Sequence, residues 1–152
     1  RPEAVSPHRE FLAPSRFREV LPDPDAPAPD QVTRAVFCTG KVYYDLAACR
    51  KERNIADTVI IRLEQIYPLA REQLTFLLAP YQKVRDFVWC QEEPSNMGAW
   101  GHLRNRLGHL FATSFRYAGR PPMACPAEGA KALHAAAQKR LLAAAFGPRT
   151  QS

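Results

Sequence analysis

Two kinds of apolar pattern alternate along this chain. Val32 to Cys38, Thr58 to Leu63, Lys83 to Cys90 and Phe115 to Ala118 are short runs rich in β-branched and aromatic residues, the composition of strands. Around Ala35-Val36-Phe37-Cys38 the run is continuous, which predicts a strand buried on both faces. Between the runs, apolar residues recur at helical spacing. Val42, Leu46 and Cys49 mark a helix over Lys41 to Asn54, and others are predicted from about Leu69 to Leu78, from Gly98 or Ala99 to about Phe111, and from about Ala127 to Ala145. Pro68 stands at the tolerated first helical position, Glu128 in a first turn, and Gly147-Pro148 closes the last helix. Met123 to Pro126 is expected as a brief extra segment. Strands alternating with helices of this length make βαβ units, so the fold class is α/β with a mostly parallel sheet.

The first thirty residues follow another rule. They hold seven of the chain's 14 prolines, and proline lacks the amide donor that helix and sheet require. Residues 1–31 are therefore expected to be an extended linker, 32–147 one domain, and 148–152 a tail. Within the linker, Ser15 to Leu21 is expected as a short helix or strand. Phe11, Phe17 and Leu21 predict that it docks on something apolar.

Composition narrows the function. A chain of 152 residues holds one domain with a real core, and no run of 18 apolar residues is present to span a membrane. Arg1 in place of a methionine leads us to expect a piece of a longer reading frame. The net charge of +6 is spread without a block of five basic residues, which disfavours nucleic acid as a partner. Cys38, Cys49, Cys90 and Cys125 form no Cys-x-x-Cys pair, a pattern of buried reduced thiols rather than of a metal site or disulfide frame.

Candidate chemistry centres on Phe87 to Trp100, a strand that reaches Gln91-Glu92-Glu93, turns at Pro94 and Gly98, and feeds a helix. Open α/β sheets place their functional edge at such strand ends. Glu92 and Glu93 are adjacent, so on a strand they face opposite ways and make a poor acid–base pair. We expect one to cap the amides of the helix near Gly98 and the other to pair with an arginine. His102 and His109 lie two helical turns apart, about 10 Å, too far to share a metal; they, His8 and His134 are expected to be solvated or packed. Thr39-Gly40-Lys41 lacks a phosphate-loop pattern, and Ser95 and Ser114 lack a nucleophile-elbow setting. No complete active site emerges.

Several stretches, taken together, resemble one family. They are Cys38 to Leu46, Ile61 to Pro68, Asp86 to Pro94 with Asn96 and Gly98-Ala99-Trp100, and Arg116 to Pro121. With Arg1 to Ser6, they are similar to the C-terminal domain of the thiamine-dependent, decarboxylating component of 2-oxoglutarate dehydrogenase, from residue 1 to about 147. The resemblance implies a transketolase-type three-layer α/β/α sandwich. It also implies that the intact enzyme uses thiamine diphosphate and magnesium, held by upstream domains across a homodimer interface, and passes a succinyl group to a lipoyl-bearing succinyltransferase component. No catalytic, cofactor or metal residue is carried onto this chain. Its implied role is dimer assembly and support of neighbouring domains, with Gln91, Glu92, Glu93, Asn96, Gly98, Trp100, Arg116, Tyr117 and Arg120 as interface or structural candidates. The implied location is the bacterial cytoplasm or the mitochondrial matrix. The alternative is a freestanding non-catalytic interaction module or a regulatory module that binds an anionic effector, with Arg62 as the candidate for the anion.

Overall fold

Side chains alternate across each strand, and here the two alternating sets build two separate cores. A computed structural model describes residues 16–125 and 131–148. The elements are β1 (Val20–Leu21), β2 (Arg34–Cys38), α1 (Val42–Glu52), β3 (Thr58–Leu63), α2 (Arg71–Leu78), β4 (Asp86–Pro94), α3 (Trp100–Phe111), β5 (Phe115–Arg120) and α4 (Lys131–Phe146). They form one sheet in the order β1-β3-β2-β4-β5. The β2–β3, β2–β4 and β4–β5 pairs are parallel, and β1 is antiparallel to β3. On one face Ala35, Phe37, Val59, Ile61 and Trp89 pack with Leu74 of α2 and Leu103 and Leu107 of α3. On the other, Val36, Cys38, Ile60, Val88 and Cys90 meet Val42 and Leu46 of α1 and Leu141 and Ala145 of α4. The result is the expected α/β/α sandwich.

The Pro-rich stretch contributes more than its composition predicts. From Val20 onward it belongs to the sheet, although the domain is expected to start only at Val32: Val20 pairs with Leu63 and Leu21 with Arg62. Pro22 cannot extend such a ladder by donating. The next residue replaces the ladder with its side chain. The Asp23 carboxylate, fully buried, accepts the Ile60 N–H at 2.9 Å and both terminal nitrogens of the buried Arg50. This planar, two-point pairing clamps the segment to β3 and α1 at once.

Other expectations shift. Helix α2 starts at Arg71, three residues after Pro68, whose peptide bond with Tyr67 is cis. Strand β4 runs on to Pro94, past the expected end at Cys90, and β5 runs to Arg120. Met123 to Cys125 is irregular rather than a strand. Phe11, Pro126 and Glu128 lie outside the described residues.

The amino edge of the sheet is locked by charge. Asp86 at the start of β4 accepts from Arg34 of β2 at 2.6 Å and from Arg116 of β5 at 2.8 and 3.0 Å. The two arginines also donate to the carbonyls of Ala144, Phe146 and Gly147, the unpaired acceptors at the end of α4. Arginine suits this place because its fork reaches several acceptors while its charge offsets the negative end of the helix.

Candidate functional site at the carboxyl edge of the sheet

Gln91 organises the opposite edge. It is fully buried, and its register with β5 is broken: Cys90 pairs with Ala118 but Pro94 with Arg120, so four residues of β4 span two of β5. Ordinary alternation puts Gln91 on the same face as Trp89, two residues earlier, and the irregularity follows it as the strand enters the turn. Its Oε1 accepts from Trp89 Nε1 at 2.8 Å and from the backbone N–H groups of Ala99 and Trp100 at 3.2 and 3.0 Å. Its Nε2 lies 2.7 Å from the carbonyl oxygen of Met97, 3.2 Å from that of Pro94 and 3.3 Å from that of Glu93. Donors converge on one end of the amide and acceptors on the other, which fixes its orientation. The helix N-terminus is thus satisfied by a neutral amide. Neither glutamate caps it, contrary to expectation.

Two glycines make room for this hub. Gly98 has φ +66°, and a Cβ there would stand 2.9 Å from Gln91 Nε2. A Cβ on Gly119 would stand 2.3 Å from the Tyr117 hydroxyl and 2.8 Å from the Gln91 carbonyl. The open space lets Tyr117 donate to the Glu93 carbonyl at 2.8 Å while its ring packs on Trp100, centroids 5.3 Å apart. Burial, helped by Cys90 and Glu93 and only partly offset by hydrogen bonding to Gln91, pushes the Tyr117 hydroxyl up to about 12. Asn96 holds the far side of the turn: its amide donates to Met123 O at 3.0 Å and accepts from Met123 N at 3.1 Å.

The charged candidates divide between the edges. Glu92 pairs with Lys41 at 3.1 Å, across the mouth between β2 and β4, so its partner is a lysine and not an arginine. Glu93 is exposed. Buried Arg120 reaches from the end of β5 to His134 of α4, 2.9 Å away. Arg116 belongs to the amino-edge lock and not to this rim, because parallel pairing sets it beside Val88, early in β4. Arg62 forms an ion pair with Glu64 at 2.9 Å and lies over the Tyr43 ring, 4.6 Å from its centroid. With its charge and faces already engaged, it makes a poor anion receptor. His102 packs edge-on against Tyr67, and His109 is exposed. Cys38 and Cys90, buried in the sheet, have their thiols pushed well above the ordinary value by burial, so neither is a nucleophile at neutral pH.

The family model described as "2-oxoglutarate dehydrogenase C-terminal" matches residues 5–146, nearly the whole chain and with it this rim. The chain belongs to that family. It is 43% identical over 146 residues to a 2-oxoglutarate dehydrogenase E1 component of Cupriavidus necator, covering 95% of this chain and 15% of that protein. The corresponding protein of Azotobacter vinelandii is 44% identical over 142 residues, covering 90% and 15%. A mitochondrial 2-oxoglutarate dehydrogenase of Caenorhabditis elegans is 40% identical over 152 residues, covering 96% and 15%. The chain thus spans about 15% of the length of these relatives. Among solved structures, a "Split gene transketolase, inactive beta4 tetramer" superposes with TM-score 0.54 at 12% identity, over 74% of this chain and 38% of that one. At that identity the likeness supports the transketolase-type fold alone.

Family membership raises the question of a resident thiamine diphosphate and magnesium. Among the described residues no three His, Cys, Asp or Glu side chains gather as ligands for a cation. The carboxylates of the rim are apart or paired with lysine, so the described residues do not fit that group. Nor is any helix among the described residues long and apolar enough to cross a membrane. Sequence reading undervalued Gln91. A neutral amide between a tryptophan and two glutamates carries no periodic or motif signal, yet it holds the site together.

Proposed function

We propose that this chain is the non-catalytic, C-terminal structural and dimerisation domain of a 2-oxoglutarate dehydrogenase. The enzyme it serves decarboxylates 2-oxoglutarate oxidatively with thiamine diphosphate and magnesium held elsewhere, and hands the succinyl group to a lipoyl-bearing succinyltransferase. Its partners in this reading are the upstream domains of its own polypeptide and a second subunit, in the bacterial cytoplasm or the mitochondrial matrix. The observation that carries the reading is the family match over residues 5–146, at about 15% of the length of relatives that are whole E1 components. The geometry is in keeping with it. The polar groups of Gln91, Asn96 and Tyr117 are committed to holding the turn rigid. A preorganised edge is what assembly requires, since ordering costs are met before the partner arrives. The effector-module reading is weakened by the pairing of Arg62 with Glu64.

Isothermal titration of the 152-residue chain with thiamine diphosphate and magnesium tests the negative half of the proposal. No binding heat and no 2-oxoglutarate-dependent turnover are expected. Saturable binding or turnover by the chain alone would refute the placement of the chemistry upstream.

A further inference from the structure

The direction of β1 decides where a preceding polypeptide meets this domain. Because β1 is antiparallel to β3, Val20 pairs with Leu63, the last residue of β3. Just before it, the Glu19 carbonyl accepts from the N–H groups of Glu64 at 2.9 Å and Gln65 at 3.0 Å. The described chain therefore comes in from the carboxyl edge, the edge that carries the Gln91 turn. Two large aromatic side chains stand in solvent beside this point. Phe17, two residues before Glu19, is 64% exposed, and Tyr67, two residues after Gln65, is 76% exposed. Tyr67 is held in place: its ring stands edge-on to His102 at 5.9 Å, and the Gln65 amide donates to the Pro68 carbonyl at 2.8 Å. A fixed, exposed aromatic ring is the common anchor of protein interfaces.

We propose that Phe17 and Tyr67 seat the part of the same polypeptide that precedes this chain, packed in cis against the carboxyl edge. The inference rests on the reading of the chain as the C-terminal domain of a longer enzyme. It names the contact by which that enzyme's upstream part docks. The tether explains why so small a patch suffices. Attachment through the 16 residues ahead of Phe17 gives a local concentration of roughly millimolar, whereas an untethered second copy needs a buried area of about 1,200–2,000 Å².

The test uses the full-length protein with a benzophenone amino acid at position 67, assembled from equal mixtures of light and nitrogen-15-labelled subunits. Irradiation followed by mass spectrometry is expected to give an adduct between position 67 and an upstream peptide of the same isotope. An adduct of mixed isotope places the contact in trans and overturns the proposal; so does no adduct above the level found with the benzophenone at exposed Arg104. A second readout is tryptic cleavage at Arg16 and Arg18 of the full-length protein. Tyr67→Asp is expected to speed it at least fivefold, and a rate within twofold of the parent counts against docking. Turnover of 2-oxoglutarate by the unmodified protein is measured alongside. Its absence sinks the enzymatic reading, while the crosslink and cleavage results still decide the docking on their own.

Discussion

Replacing Gln91 with leucine keeps the volume and removes the amide. Two buried donors, the Trp89 indole N–H and the Ala99 amide, then lose their acceptor. At about 1–3 kcal/mol for each unsatisfied buried group, and with the Glu93 and Pro94 carbonyls still accepting from the Tyr117 hydroxyl and the Met97 N–H, the expected loss is about 2–6 kcal/mol. Gln91→Glu separates the two ends of the amide. The acceptor survives, but a carboxylate oxygen replaces the nitrogen that faces three carbonyl oxygens at 2.7, 3.2 and 3.3 Å. Folding then favours the protonated acid and raises its pKa above the unfolded value of about 4.3. The native state binds the extra proton, so the stability of this variant falls as pH rises from about 4.3 through the raised value. Urea melts between pH 5 and 8, followed by fluorescence of Trp89 and Trp100, are the assay. Gln91→Leu is expected to show a deficit that does not change with pH, and Gln91→Glu one that shrinks toward pH 5. A Gln91→Leu protein within about 1 kcal/mol of the parent refutes the hub.

Four further outcomes follow. Trp89→Ala empties the centre of one core and is expected to cost about 3–5 kcal/mol in the same melts; a loss below about 1 would place the strand at the surface. Asp23→Ala strands the buried Arg50 and is expected to cost about 3–5 kcal/mol, whereas a change under about 1 means that the Pro-rich segment is not clamped. Burial raises the Asp86 carboxyl, but its bonds and charges with Arg116 and Arg34 outweigh that and hold it below the ordinary value. The stability it contributes is therefore present above the unfolded value of about 3.9 and lost as pH falls below it, so acid melts of Asp86→Asn should show a shallower slope than the parent; equal slopes contradict the lock. Thiol titration at pH 8 is expected to count only Cys125 in the native protein and all 4 cysteines in denaturant. Rapid native reaction of Cys38 or Cys90 would show that the sheet opens.

Much of the architecture was legible because burial on both faces leaves a strong mark. Ala35 to Cys38 and Val59 to Ile61 sit in the middle of a parallel sheet, and nothing but continuous apolar runs satisfies both cores. Strand β1 was legible only as a helix or strand somewhere in Ser15 to Leu21, since two residues have no period and the anchor that ties it into the domain is a contact between Asp23 and Arg50, 27 positions apart. The last helix is described over Lys131–Phe146, and its expected beginning near Ala127 lies outside the described residues. At the site, the turn, Gly98 and the stacking residue Trp100 were visible as chain punctuation. The roles of individual side chains were not, because register decides them. A two-residue shift in pairing assigns Arg116 to one edge or the other. Alternation from Trp89 sets Gln91 on the face of the helix amides and Glu92 on the other.

The central claim, that this domain assembles an enzyme whose chemistry lies elsewhere, is tested most directly by separating the two. The full-length reading frame is divided ahead of the family match, and the upstream portion and this domain are assayed apart and together for 2-oxoglutarate-dependent ferricyanide reduction. No turnover is expected from the domain, little from the upstream portion, and recovery on mixing, together with a shift to a heavier species in sedimentation. Full turnover by the upstream portion alone, unchanged when the domain is added, would contradict it.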